Sequence, residues 1–363
     1  MRVGIIGGGQ LGRMLALAGH DIGIECTTLD PAAASPAAAV APAIVGSYSD
    51  RDRLAALAIA VDVVTYEFEN VPVEAARFVE ELRPVFPPPA ALEAAQDRLA
   101  EKQLFTRTGL TVPAYAPVDS PDRLVDEIER LGTPAMLKSR RLGYDGKGQA
   151  MIGDPHLAVD TWKSLGEVPC LIEAFVEFER ELSIIAVRGR DGETAAYPLV
   201  ENHHRAGILR LTRAPAGVDA AMQEAAEVHA HAIMAELDYV GVLAIELFQV
   251  GEALLGNEMA PRVHNSGHWT IEGAETSQFE NHLRAVSGLP LGPTAPLGVS
   301  AMVNLIGEMP DLTAVMAVPG AHLHDYGKQA RPGRKLGHVT VTADDVTELQ
   351  PRLDAVVQLT GER

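Results

Sequence analysis

Only two cysteines occur in 363 residues, Cys26 and Cys170. They are too few and too far apart for a disulfide framework or a zinc pattern, and a reduced cytoplasmic setting is the simple expectation. Positive charge is scarce as well. The chain has 30 Lys and Arg against 49 Asp and Glu, a net charge of −19. That balance argues against nucleic acid or an anionic membrane as a partner. Anionic ligands would then need local cationic pockets. No apolar run approaches the ~20 residues that span a bilayer. The opening Met-Arg-Val-Gly-Ile-Ile-Gly enters a strand directly and is too short and glycine-rich for a signal peptide. Internal repeats are absent, and low complexity is confined to the Ala-rich stretch 32–43. What remains reads as a globular chain, long enough for two or three domains with their own cores.

Residues 1 to about 95 alternate short apolar strands (2–6, 24–29, 62–65) with helices (11–19, 50–59, 72–82), which predicts a parallel sheet with flanking helices. Pro87-Pro88-Pro89 marks a break, and residues 91–108 read as one helix. A small α/β unit follows: helix 121–131, strand 135–138, a glycine-rich turn, strand 149–152, helix 155–165 and strand 170–173. The last region is larger and strand-rich, with a long helix over 220–237.

The stretch from Glu246 to His268 is the most informative. Strand 242–250, a Gly251-Glu252 turn and strand 253–258 predict a hairpin. Glu246 and Glu258 lie symmetrically about the turn. Facing each other, their carboxylates would be roughly 5 Å apart on one side. Like charges that close call for a cation between them, and a hard divalent ion such as magnesium fits. A solvated face is the plain alternative, but Ala244-Ile-Glu246-Leu-Phe248 sets the charge inside an apolar strand, where leaving it unpaired is expensive. Arg262, His264 and Asn265 follow at once and offer anion donors.

Other motifs are weaker alone. Gly7-Gly-Gly-Gln10-Leu11-Gly12 matches the phosphate turn of dinucleotide-binding folds, with Asp30 where a ribose-binding acid would stand. That keeps an NAD-dependent oxidoreductase open, although such a turn serves any phosphate at a helix N-terminus. Glu67 and Asn70 follow a buried strand and offer hydrogen bonds to a polar ligand; Asn70 could equally cap the next helix. Lys138 leaves a strand beside Gly143-Tyr144-Asp145-Gly146-Lys147-Gly148-Gln149, a loop whose amides can close over phosphates. An ordinary hairpin is the alternative. The acidic connector from Glu173 through Phe175 to Glu181 can offer backbone to a purine and an acid to ribose. Lys328, Arg331, Arg334 and Lys335 put four permanent positive charges into eight residues, which suits a phosphate ester or a basic surface loop. His322 and His324 alternate on a strand, a pattern that is usually structural.

In this order the signals resemble the ATP-grasp superfamily. Within it, Gln10-Leu-Gly-Arg-Met14, Glu67-Phe-Glu-Asn70-Val, Asp97-Arg98-Leu-Ala-Glu-Lys102, residues 143–149, Glu258-Met-Ala-Pro-Arg262-Val-His264-Asn265-Ser-Gly-His268-Trp-Thr270 and Arg331-Pro-Gly-Arg334-Lys335-Leu-Gly-His338 are similar to the N5-carboxyaminoimidazole ribonucleotide synthetases over nearly the whole chain. The resemblance implies an α/β ATP-grasp fold of three domains, a Rossmann-like 1–96, a lid domain 97–174 and a catalytic domain 175–363. It implies carboxylation of aminoimidazole ribonucleotide with ATP and bicarbonate, through carboxyphosphate or carbon dioxide released from it. Magnesium, or manganese in its place, would sit on Glu246 and Glu258. ATP would be held by Arg98, Lys138, Tyr144, Asp145, Gly146, Lys147, Gly148, Gln149, Glu173, Phe175, Glu181 and Asn257. The ribonucleotide would be held by Gln10, Leu11, Glu67, Asn70, Tyr144, Lys328, Arg334 and Lys335, with Arg262, His264 and Asn265 catalytic. A cytoplasmic homodimer is the family expectation. The nearer alternative is another ATP-grasp ligase, such as a formate-using glycinamide ribonucleotide transformylase. The 143–149 loop is the expected lid.

Overall fold

Four short apolar strands begin the chain: β1 (Arg2–Ile6), β2 (Glu25–Asp30), β3 (Ala43–Val45) and β4 (Val63–Tyr66). In the computed structural model, which describes residues 1–143 and 146–361, they form a parallel sheet in the order β3-β2-β1-β4. Helices α1 (Gln10–Asp21), α2 (Arg51–Ala60) and α3 (Val73–Glu80) connect them. Strands β1 and β4 are buried almost throughout, hence their nearly unbroken apolar character.

The single helix expected over 91–108 is two, α4 (Pro89–Ala95) and α5 (Arg98–Arg107). Asp97 breaks it. Its backbone is extended and its carboxylate accepts the Leu99 N–H at 3.0 Å, so it caps a new helix. The same carboxylate pairs with Arg140 at 2.6 Å, and the Gln96 amide donates to the carbonyls of Glu69 and Val71. Three tertiary partners thus outweigh the helical propensity of the window.

The small sheet holds β5 (Tyr115–Val118), β6 (Ala135–Ser139), β7 (Gln149–Ile152) and β8 (Cys170–Ala174) in the order β5-β8-β6-β7, all antiparallel. Helices α6 (Pro121–Leu131) and α7 (Ala158–Ser164) complete a separate core of Leu124, Ile128, Leu137, Trp162 and Ile172.

The large antiparallel sheet is built from β9 (Arg180–Arg188), β10 (Thr194–Ala196), β11 (Val200–Arg205), β12 (Ile208–Ala214), β13 (Gly241–Val250), β14 (Ala253–Ala260), β15 (Val299–Ile306), β16 (Ala321–Asp325) and β17 (Lys335–Ala343). Its order is β14-β13-β9-β11-β12-β15-β17-β16, with β10 beside β9, and helix α8 (Ala220–Glu236) lies against it. The parallel sheet is welded to it. Val3, Ile5 and Leu15 share one core with Val242, Val263 and Leu283. His282 ties the two together: its Nδ1 accepts the Val242 N–H at 3.1 Å, and its Nε2 meets Thr65 Oγ1 at 2.8 Å. No helix among the described residues is long and apolar enough to cross a membrane.

Candidate active site

A cavity of about 650 Å³ opens where the three sheets meet. Its first wall is the glycine turn, and here the structure corrects the sequence reading. Glu67, 6% exposed, turns back into the loop. Its carboxylate accepts the Gly9 N–H and, at 2.7 Å, the Gly12 N–H. Asp30 accepts the Gly8 N–H at 2.8 Å, together with the Tyr48 hydroxyl and the Ala32 N–H. Most amides that a phosphate would use are therefore occupied by the chain's own carboxylates. The glycines are required for this packing: a Cβ on Gly7 would lie 2.3 Å from Glu67 Cγ, and one on Gly9 2.5 Å from Glu67 Oε1. Glu67 thus serves the turn as a structural anion while lining the cavity. Neither Asp30 nor the turn is free for NAD. The N–H groups of Gln10 and Leu11, at the start of α1, are not taken by either carboxylate. Asn70 lines the cavity and does not cap α3, whose first cap residue is Pro72 without a side-chain bond.

The acid pair is built by a fault in the hairpin. Pairing runs regularly from Val250 opposite Ala253 to Leu247 opposite Gly256, then slips. Continued without the slip, it would place Asn257 opposite Glu246 and send Glu258 to the other face. Asn257 is the extra residue of a β-bulge, so Glu246 pairs with Glu258 and both line the cavity. Burial, and then the neighbouring Glu258, push the Glu246 carboxyl up to about 7. At Glu258, whose side chain is 41% exposed, Arg98 at 3.1 Å and Lys138 outweigh desolvation and hold the pKa below the usual range. Two facing oxygen donors, one of them short of positive charge, suit a hard divalent cation.

Cations line the next wall. Lys138, on β6, contacts Glu173 at 3.0 Å and the Asn257 side chain at 3.4 Å. Lys102, fully buried, lies 3.5 Å from Glu173 and bonds the carbonyls of Gly256 and Asn257. Gly146 and Gln149 of the glycine loop line the wall, and Lys147 and Gly148 do not. Tyr144 and Asp145 lie outside the described residues. Gly146, at φ +74°, rests against the β11–β12 turn; a Cβ there would be 2.9 Å from Gly207 Cα. Phe175 and Glu181 also line the cavity, Glu181 bonded to His204. Phe178 stacks on Phe248 at 4.6 Å.

The irregular segment after β14 spans the cavity floor. Arg262 Nε bonds Glu69 Oε2 at 2.5 Å, reaching the loop after β4. His264 Nδ1 accepts the Ser266 N–H, so its proton sits on Nε2, 3.3 Å from Glu246 Oε1. Burial, then Arg262 and Lys335, depress its pKa well below the ordinary range and keep the ring neutral. Asn265 exchanges amide hydrogen bonds with Asn304 at 3.0 and 2.7 Å. Of the basic cluster, Lys335 lines the cavity and Lys328 bonds the Gln10 side chain at its edge. Arg334 instead donates to the Gln329 carbonyl within its own loop, 3.2 Å away. His324 bonds Glu272 at 2.6 Å and stacks on His338, and the described residues contain no metal-ligand cluster around it.

Sequence reasoning gave no role to several residues that line this cavity. Glu69 and His268 lay inside quoted motifs but drew no role. His204, on an amphipathic strand, and Phe248, beside Glu246, carried no local signal.

A ribonucleotide synthetase preATP-grasp domain model matches residues 1–96, an ATP-grasp domain model 103–279 and a phosphoribosylaminoimidazole carboxylase C-terminal domain model 300–352. An N5-carboxyaminoimidazole ribonucleotide synthase of Pseudomonas aeruginosa is 51% identical over 99% of both chains. The crystal structure of the Thermus thermophilus synthetase superposes with a TM-score of 0.96 at 56% identity, over 99% of both chains. That of the Aspergillus clavatus synthase, in complex with ADP and 5-aminoimidazole ribonucleotide, does so with a TM-score of 0.91 at 33% identity, over 98% of each. By identity along its full length, by all three domain models and by its fold, the chain belongs to the N5-carboxyaminoimidazole ribonucleotide synthase family of ATP-grasp enzymes.

Proposed function

We propose a division of labour within this cavity for the family's reaction, the ATP- and bicarbonate-dependent carboxylation of 5-aminoimidazole ribonucleotide to N5-carboxyaminoimidazole ribonucleotide. A bicarbonate oxygen attacks the γ-phosphorus of ATP and ADP leaves. The resulting carboxyphosphate, or carbon dioxide from it, takes the exocyclic amine at its carbon. A C–N bond forms, the C–O bond to phosphate breaks and the amine gives up a proton.

Lys138, Arg98, Asn257 and the 143–149 loop hold the ATP phosphates. The backbone about Glu173 and Phe175 holds adenine, and Glu181, oriented by His204, holds ribose. Glu246 and Glu258 would carry magnesium, or manganese, which when bound neutralises charge on the transferring phosphoryl group. His264 orients Glu246 through its Nε2–H, and Arg262 and Asn265 hold bicarbonate beside it. The N–H groups of Gln10 and Leu11 with Lys328 and Lys335 hold the ribonucleotide phosphate at a helix N-terminus. Arg334 braces that basic loop. The 143–149 loop excludes water from intermediates that hydrolyse readily.

One observation carries this reading. The Arg262–Asn265 segment bonds Glu69, beside the ribonucleotide end, and brings His264 Nε2 to 3.3 Å from Glu246 of the acid pair. It therefore joins the two substrates' ends. We also place the protein in the cytoplasm as a homodimer, divided near residues 97 and 175. The test is ATP hydrolysis with and without bicarbonate and aminoimidazole ribonucleotide. Turnover should require both. Stimulation by formate and glycinamide ribonucleotide instead would assign the chain to a transformylase.

A further inference from the structure

Strand β14 is the edge of the large sheet, so its outer backbone groups have no neighbouring strand. Buried groups of that kind need partners. Helix α5 and the loop after it supply them. The Gly256 N–H bonds the Thr111 carbonyl at 2.8 Å. The carbonyls of Gly256 and Asn257 both accept from Lys102 Nζ, at 3.0 and 2.8 Å. The Met259 N–H donates to Glu101 Oε1 at 2.7 Å. These bonds bracket Glu258 on both sides and fall on the bulge itself. The helix is seated so closely that a Cβ on Gly256 would lie 2.8 Å from Leu110 Cδ2 and 2.9 Å from Phe105 Cδ2. Lys102 is fully buried and Glu101 is 2% exposed, so neither is a solvated helix face.

The geometry points to Glu101 and Lys102 as positioning residues for the metal acids: they hold Asn257 out of the ladder as the extra residue and so keep Glu258 on the same face as Glu246. Without them the hairpin is free to settle into the regular register, which turns Glu258 away from the cavity. The inference rests on the reading of Glu246 and Glu258 as the metal site. Glu101 acts in it as a hydrogen-bond acceptor. Lys102 acts as a double donor, and since it also neighbours Glu173, the Glu101 variants give the cleaner test.

Binding of Mn²⁺ to the full-length protein with ADP present, followed by the electron spin resonance of the free ion, separates the possibilities. Glu101→Leu should weaken Mn²⁺ binding about tenfold or more, as loss of a group supporting a metal ligand does. Glu101→Gln, whose amide oxygen still accepts the Met259 N–H, should stay within about threefold of wild type. Metal-free ADP binding should fall in Glu101→Leu by a smaller factor than Mn²⁺ binding, because Asn257 alone among the phosphate-holding residues shifts with the register. Unchanged Mn²⁺ affinity in Glu101→Leu overturns the inference. So does an equal loss in Glu101→Gln, which would make the charge of Glu101, and not its acceptor role, the important property. Should Glu101→Leu fail to fold, Lys102→Met in the same assay decides on the same criterion. Glu246→Gln is the control for the underlying reading: normal Mn²⁺ binding there would remove the metal site itself.

Discussion

Glu246 is a carboxyl group held where its charge is unwelcome. Its native pKa, about 7, lies above the ordinary 4.5 because of burial first and Glu258 second. Between those values the native state keeps a proton that the unfolded chain has lost, so rising pH costs stability there. Glu246→Gln should therefore melt at or above the wild-type temperature at pH 8 without metal, while turnover falls by about a thousandfold or more. Glu258→Gln should lose turnover equally. A variant that melts lower yet works normally would return these residues to a solvated face. Lys328 presents the opposite case. Burial, and then Arg334, lower its pKa to about 8, so the ammonium gains from an anion nearby. Lys328→Ala should raise KM for aminoimidazole ribonucleotide about tenfold, for a charge-assisted hydrogen bond of about 1.5–3 kcal/mol, and leave KM for ATP within about twofold. Arg334→Ala should do less, because its guanidinium braces the loop. Steady-state kinetics with each substrate varied would reveal an equal effect on both, which would place the loop elsewhere.

Among the elements, the glycine loop carries the sharpest expectation. Gly146 at φ +74° is closed to proline, whose ring fixes φ near −65°. Gly146→Pro should leave ribonucleotide binding intact but lower turnover, or raise the ATP hydrolysed per molecule carboxylated. Unchanged kinetics and coupling would end the lid assignment. In the sequence this loop stood out only through three glycines beside a strand lysine, a pattern that an ordinary hairpin also shows. The bulge did not stand out. It rests on one extra residue, Asn257, and its partners on α5 are more than 150 positions away in sequence. Glu101 and Lys102 read locally as ordinary charges on a short helix. The break at Asp97 was hidden for the same reason, since Arg140 is supplied by another element.

For the molecule as a whole, periodicity revealed the parallel sheet, the small sheet and the hairpin, because each buries an unbroken apolar strand. It could not reveal that the first and last sheets share a core. That junction depends on His282, an unremarkable residue in its helix. Its pKa is depressed to about 3 by burial. Below the ordinary histidine value of 6.5 the unfolded chain binds a proton that the native state refuses, so stability rises with pH through that window and is lost on acidification. From pH 7.5 to 5.5 this one ring accounts for about 1.4 kcal/mol. His282→Gln keeps an acceptor for Val242 and a donor for Thr65. Its denaturation free energy should therefore fall by about 1.4 kcal/mol less than wild type over the same pH range. Parallel pH dependence in the two proteins would show that the ring binds its proton as readily in the native state as in the unfolded chain.

The carboxylate lodged in the glycine turn has a consequence for the traffic of small molecules around this protein. A free dinucleotide or phosphate competes for a nest of amides only at its own concentration, whereas Glu67 is delivered by the chain and competes at a far higher effective concentration. The turn is therefore insulated from the cofactors whose signature it carries. It leaves the amides of Gln10 and Leu11 outside the grip of both carboxylates, so an anion approaching this end of the cavity meets the first turn of the helix, one step beyond the motif that first draws the eye.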